Sequence, residues 1–330
     1  MNLENLPEHF LIGVLNNLDI KDLVNACNSY PNVNRVCNEN IRINNRVRGY
    51  LLLRRDISKM EQKFKDNALR KYASEGGIDA VKLLLDEGAD IHAYNEVALN
   101  AAIKANNLDM VKLLVDEGAD VNIDVGGRTN FLASAVSINN PDIIEYLVDN
   151  GAIVTHKAIR EAVRMNSIEG AIDNFEIIEY LVDNSLNKQD AYDQILSLAS
   201  YYANFDLMEY AIDNGALLNP VNNYPLKQAG NVDVIKFLED NGANIHFNND
   251  ELLTEVLPYD IVEYLLDQGF DPNMNNGAAM LVAVDHHKLD VLQLLINRGG
   301  NYRPIYDNLF NIAYGHDYQD IEGYLSALPE

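Results

Sequence analysis

Asp285, His286 and His287 place a carboxylate and two imidazoles in consecutive positions, the residue types that ligate zinc or relay protons. On a helix, however, adjacent side chains point about 100° apart, so the two imidazoles cannot easily reach one ion. Cys27 and Cys37 stand ten residues apart with no Cys or His pair at zinc-ligand spacing beside them, and buried thiols are expected. Gly76-Gly77 and Gly126-Gly127 lack the lysine and the strand context of a phosphate-binding loop and read as turns. Paired carboxylates are plentiful, but they recur at regular positions, where a solvated helix face explains them better than acid–base catalysis. No nucleophile, base and orienting group form a set. The expectation is a non-enzymatic protein with no metal and no cofactor.

Composition narrows the partners. The 330 residues carry 50 acidic against 25 basic side chains, a net charge of −25 that repels phosphate backbones and anionic lipid, so neither nucleic acid nor a membrane is expected as a partner. Two cysteines are too few for a disulfide framework and suit a reducing compartment, so a cytoplasmic protein is expected. The opening MNLENLPEHFLIGVL has neither a basic n-region nor a long apolar core, and no stretch approaches a membrane span. Asparagine makes up about one residue in eight, which reads as compositional bias.

The elements that must position any site follow from a repeat. The octet IIEYLVDN occurs at 143–150 and again at 177–184. Aligned on it, an acidic residue opens an apolar segment and a glycine follows nine positions later, from Asp79, Asp109, Asp142, Glu176, Asp206, Asp233, Asp260 and Asp290, with a shortened copy from Asp320. Successive starts lie 30, 33, 34, 30, 27, 27, 30 and 30 residues apart, a period suited to a two-helix unit. Each rung reads as a short helix: the acidic residue caps its exposed N–H groups, and Val81, Leu84 and Leu85 exemplify a buried stripe. Glycines such as Gly88, Gly118 and Gly151 supply a left-handed exit; Ser185 breaks that series, so its exit should be strained or differently shaped. Between rungs lies a small-residue helix, as in EVALNAAIKANN (96–107) and RTNFLASAVSINN (128–140). The octet recurs because each unit packs against two like neighbours; recent duplication of a unit gives the same fold.

This ladder resembles the ankyrin repeat, whose Gly-Ala-Asp-Val/Ile-Asn signature stands here as Gly118-Ala119-Asp120-Val121-Asn122 and, with His last, as Gly88-Ala89-Asp90-Ile91-His92. The resemblance implies an all-α fold, an ankyrin-repeat solenoid of helix-turn-helix units with a small N-terminal helical segment. The usual Thr-Pro-Leu-His start of the first helix is missing; Arg128 to Leu132 comes nearest and Tyr224-Pro225-Leu226 keeps a fragment. The 27-residue units require a clipped loop or a first helix of one to two turns. The 33- and 34-residue units should bulge at Gly126-Gly127 and at 168–175.

Residues 1–65 hold ten basic and seven acidic residues, a net +3, which leaves −28 on the remainder. Three short helices are expected there, one through Phe10, Leu11, Val14 and Leu15, one from Asp19 or Asp22 through Leu23 and Cys27, and one from Val33 to Cys37. This stretch is similar to an F-box in Leu6, Pro7, Ile12, Leu15, Leu18 and Leu23, and more narrowly to the F-box-like start of giant-virus ankyrin proteins, in Leu23 to Cys27 and Val36-Cys37-Asn38-Glu39. The resemblance implies docking of those six residues on a Skp-type linker of a cullin-based ubiquitin ligase. The alternative is that these helices only cap the first repeat, in a plain scaffold or a virion-associated binding protein. Residues 1–45 are assigned to the F-box-like segment, 46–65 to a connecting helix and 66–330 to the repeats. In the resembled fold, loop tips and first-helix faces meet a client; here those are Tyr94, Asn95, Arg128, Asn130, His156, Tyr224, Asn248, Asn249, Met274, Asn275 and His286. The acidity of the array makes a basic protein segment the expected client.

Overall fold

The computed structural model describes residues 12, 14, 15, 18–123, 130–167, 174–220, 224–248 and 250–329. Leu6, Pro7, Arg128 and Asn249 lie outside the described residues, as do 126–127 and 168–173, where the longer repeats were expected to bulge. Among the described residues every regular element is helical. The chain divides into two units, Met1–Ile153 and Val154–Glu330, each taken by itself below.

The first unit begins with α1 (Ile20–Ser29), α2 (Pro31–Glu39) and α3 (Ile41–Ile57). Asp19 caps α1 by accepting from the Asp22 N–H at 2.8 Å, and Pro31 opens α2, where its missing N–H leaves nothing unpaired. These helices bury Leu23, Val33, Val36 and Ile43. The cysteines correct the sequence reading: Cys27 and Cys37 are joined in a disulfide rather than free. The α1–α2 hairpin sets their Cα atoms 5.9 Å apart, within the span a disulfide bridges. The single connecting helix expected over 46–65 is also corrected, since the chain turns after Ile57 and a new helix starts at Gln62. Glu61, in extended conformation, separates the two.

From that point helices alternate in pairs. The first unit contains α4 (Gln62–Glu75) with α5 (Ile78–Asp86), α6 (Ala93–Lys104) with α7 (Leu108–Asp116), and α8 (Phe131–Ile138) with α9 (Pro141–Asp149). The second contains α10 (His156–Ser167) with α11 (Phe175–Asp183), α12 (Lys188–Tyr202) with α13 (Phe205–Asp213), and α14 (Tyr224–Lys227) with α15 (Val232–Asp240). A 3-10 turn (Glu251–Thr254) then pairs with α16 (Tyr259–Asp267), α17 (Met274–Asp285) with α18 (Leu289–Asn297), and α19 (Tyr306–Gly315) with α20 (Gln319–Ser326). Each rung read from the sequence is the second helix of a pair. The two 27-residue spacings enclose the shortest first elements, α14 and the Glu251–Thr254 turn, as the spacing requires.

Second helices bury one stripe, such as Ile143, Ile144 and Leu147 in α9 or Ile261, Val262 and Leu265 in α16. Each such side chain contributes roughly 1.5–3 kcal/mol on leaving water. In α5, Val81 and Leu84 are buried as expected, whereas Leu85 is only half-buried and Leu83 takes its place.

The capping chemistry differs from the expectation. The acidic residue opening a rung stands in the first helical turn, where its charge favours the helix dipole, and in four rungs the cap is an asparagine two residues earlier. Asn107, Asn140, Asn204 and Asn231 accept from the N–H groups of Met110, Ile143, Leu207 and Val234 at 3.0, 3.2, 3.1 and 3.0 Å. The cap also ties neighbouring pairs together: Asn140 donates to Asn106 of the preceding pair, and Asn204 donates to Asn166 and Ser167. At the other end the glycine exits are left-handed, with φ of 84° at Gly88, 104° at Gly118 and 87° at Gly151. Ser185 avoids that conformation; its hydroxyl donates to the Val182 carbonyl at 2.8 Å, so this exit is differently shaped.

A second set of bonds fastens side chains at or just past a loop tip to the next exit, at Gly88, Gly151, Gly215, Gly242 and Gly299. Asn122 donates to the Gly151 carbonyl at 2.7 Å and accepts from the Ile153 N–H at 2.9 Å. Asn219 does the same to Gly242 and Asn244, and Asn273 to Gly299 and Asn301. Where no asparagine is placed to do so, two side chains share the work: Gln62 donates to Gly88 while Asp66 accepts from Asp90, and Gln189 donates to Gly215 while Asp193 accepts from Leu217.

Replacing Asn140 with Ala should lower the unfolding free energy by about 1–2 kcal/mol in urea denaturation. Asp142→Asn, which touches only the dipole term, should cost no more than about 0.3–1 kcal/mol.

Candidate protein-binding groove

The first helices of three successive pairs in the second unit, α10, α12 and α14, enclose an open groove of about 420 Å³. Burial on each helix decides which side chains reach it. In α10, Ala158, Ile159, Ala162 and Val163 go inward, which leaves His156 and Arg160 outward. In α12, Ala191, Ile195, Leu196, Ala199 and Ser200 are buried, and Gln194, Ser197, Leu198, Tyr201 and Tyr202 face the groove. In α14, Pro225 and Leu226 are buried and Tyr224 is not.

The turn after α14 fixes the groove's width. The Gly230 N–H donates to the Ser200 carbonyl at 3.1 Å, which otherwise accepts only a long 3.4 Å bond from Ala203 at the end of α12. A Cβ at residue 230 would lie 2.7 Å from the Tyr201 carbonyl, so only glycine permits this approach. Tyr201 and Tyr202 meet edge to face at 5.0 Å, and Tyr201 and Tyr224 remain 58% and 54% exposed, large aromatic surface left uncovered.

The groove's charge runs against that of the chain. Its lining includes His156 and Arg160 and no carboxylate. Asp190 stands beside it with its Oδ2 taken by His156 Nε2 at 3.0 Å and Gln194 Nε2 at 2.9 Å. Asp193 is turned to the next repeat, accepting from Leu217 N–H and from Gln189. Elsewhere acidic neighbours dominate: burial and the Glu239 carboxylate that accepts from its hydroxyl at 2.9 Å push Tyr264 up to about 12.

Of the contact residues read from the sequence, His156 and Tyr224 come together in this groove. Tyr94, Asn95 and Asn275 are exposed on left-handed turns, with φ of 51°, 61° and 48°. Asn130 caps α8, accepting from the Ala133 N–H at 2.7 Å, and Asn248 donates to Glu251 at 2.8 Å. His286, exposed, lies against the Val282 carbonyl, while His287 pairs with Asp320 at 2.8 Å and stacks on Tyr318. Met274 is a correction: it is buried. Arg160, Gln194, Ser197, Tyr201, Tyr202 and Gln228 were missed, although the Tyr201-Tyr202 doublet ending an otherwise small-residue helix is a visible signal.

A family model described as ankyrin repeats in three copies matches residues 40–125 and again 69–158. Residues 40–158 are thus similar to ankyrin repeats. Paired helices continue to α20, and second helices leave through left-handed glycines as far as Gly299, so the fold is an ankyrin-repeat solenoid of helix-turn-helix units. The crystal structure of the human ASB11 ankyrin repeat domain is similar at 25% identity, over 61% of this chain and 96% of that one, with a TM-score of 0.45. A comparison with curated proteins finds no match. Ankyrin repeats bind other proteins.

Gly230→Ala should cost roughly 1–3 kcal/mol in urea denaturation and alter the near-UV signal of the groove tyrosines. Gly323→Ala, at a helical position with open space around it, should instead stabilise by up to about 1 kcal/mol.

Proposed function

We propose that this ankyrin protein is a non-enzymatic adaptor that holds a client protein on its array, with the groove of α10, α12 and α14 as the principal contact. The observation that carries the reading is the uncovered tyrosine surface there, on first helices whose opposite faces are buried. Within this reading residues 1–45 form an F-box-like segment that recruits a Skp-type linker of a cullin-based ubiquitin ligase, 46–65 lead into the array, and 66–330 form it. The segment's own buried residues, Leu15, Leu23, Val33, Val36 and Ile43, support a separate role. Leu15 and Leu23 are fully buried and hold its core, whereas Ile12 and Leu18 keep partial exposure and are the described residues able to dock. A giant-virus source and the host cytoplasm belong to the same proposal. There glutathione would open the Cys27–Cys37 bond, so the cysteine content no longer speaks for that compartment.

The alternative, a capped scaffold or virion-associated binding protein, draws on a different observation. Lys21 pairs with Asp86 at 2.8 Å, Arg54 with Glu87 at 2.7 Å, and Lys65 donates to the Glu87 carbonyl, so the leading helices are fastened to the first rung. Exposed pairs of this kind are individually weak.

The test is co-purification of the full chain with a Skp-type linker. The linker should be retained by the wild type and lost from Ile12→Asp/Leu18→Asp, with circular dichroism reporting an unchanged fold. No retention by folded wild type at about micromolar concentration, a threshold that corresponds to roughly 8 kcal/mol of binding, removes the ligase role. The scaffold reading then gains support if Arg54→Glu lowers the melting temperature of the array.

A further inference from the structure

We infer that the groove of α10, α12 and α14 receives an acidic peptide segment, one that presents Asp or Glu carboxylates, and this rests on the protein-binding reading above. The net charge of −25 points the other way, toward a basic client. Local charge decides what a groove admits, because screening in physiological salt confines exposed charges to about 8 Å.

The local inventory is cationic. Lys157, Arg160 and Arg164 fall within eight residues of α10, in an array where acidic side chains greatly outnumber basic ones. Arg164 is held by Glu161 through two nitrogens, at 3.0 and 2.6 Å. Arg160 is exposed, lines the groove and has no ion-pair partner among the described residues. Its guanidinium offers donors in a planar fork that matches a carboxylate bidentately. The flanking groups are also able to donate: the amides of Gln194 and Gln228 and the hydroxyls of Ser197, Tyr201 and Tyr224. Of the carboxylates nearest in sequence, neither lines the groove: Asp190, beside it, accepts from His156 and Gln194, and Asp193 is turned to the next repeat by Leu217 and Gln189.

A basic segment would gain from the tyrosine faces. That gain is small at exposed rings, and repulsion from an unpaired guanidinium in the same groove exceeds it. A volume of about 420 Å³ accommodates one or two side chains, so the site grips a short acidic motif.

The experiment uses the full-length protein and three dye-labelled peptides of one length, a flexible frame carrying a central Leu-Glu-Glu-Leu and its Gln and Lys counterparts, read by fluorescence anisotropy. The Glu peptide should bind at least about tenfold more tightly than the Gln peptide, and Arg160→Glu should abolish that difference. Raising salt from about 50 to about 500 mM should weaken it. Tyr201→Ser, which leaves the charge unchanged, should weaken the Glu peptide while preserving its preference over Gln. Equal binding of Glu and Gln peptides, tighter binding of the Lys peptide, or indifference to Arg160→Glu overturns the inference. Lys-peptide binding that tightens in Arg160→Glu would overturn it while leaving the groove a protein-binding site. Failure of all three peptides overturns it too, and the adaptor reading is judged separately by client capture on wild type against Tyr201→Ser.

Discussion

A helix that leaves through a left-handed glycine strands a carbonyl at the turn and an N–H two residues later, and the helix's own backbone satisfies neither. Buried or half-buried, such groups are costly unless paired. At five of the glycine exits the partner is a side chain from earlier in the chain: an asparagine at the preceding tip for Gly151, Gly242 and Gly299, and residues of the same pair's first helix for Gly88 and Gly215. Asn122, Asn219 and Asn273 each satisfy both groups with one amide, because an amide carries a donor and an acceptor on one carbon. Where the tip lacks an asparagine, the task is divided between a glutamine and an aspartate that bond each other, Gln62 with Asp66 and Gln189 with Asp193. This two-point tie sets the spacing of successive pairs, and with it the positions of the first helices that form the groove.

Much of the architecture could be read from the chain because it depends on local periodicity. The acidic start, the apolar stripe and the glycine recur together, and the 27-residue spacings left room for only a vestigial first helix. Other features depend on contacts that a single segment does not reveal. The abundance of asparagine resembled compositional bias, yet asparagines cap helices, link caps across repeats, and close the tips; Asn150, Asn214 and Asn241 also cover the carbonyls of Tyr146, Tyr210 and Phe237. The pairing of Cys27 with Cys37 required knowing that α1 and α2 fold back on each other. Met274 looked like a tip residue because its neighbours are, but it is buried. The groove was half legible: His156 and Tyr224 stood out as tip and helix-start residues, whereas Arg160 and Tyr201 become neighbours only when three first helices are aligned.

The tyrosine of the repeated octet shows how one residue can serve packing and charge together. Tyr146 donates to Asp116 at 3.0 Å and lies under the Lys112 ammonium, and Tyr264 repeats the arrangement with Glu239 and Lys236. Each ring thus spans from its own helix to the preceding one and occupies a carboxylate there. On the second-helix side, hydroxyl donors thus hold carboxylates in place. On the first-helix side of the second unit, Asp190 and Asp193 are held in structural bonds and stay out of the groove's lining.

The tie between repeats joins a side chain on one partner to main-chain atoms on the other. Main-chain atoms are the same whatever the residue, so a repeat ending in the asparagine tip can be followed by any unit with a glycine exit. Whole units can therefore be gained, lost or exchanged without redesigning the joint. A lineage could lengthen the array or change its binding face by recombination alone, and an octet present in two identical copies is the trace such a history would leave.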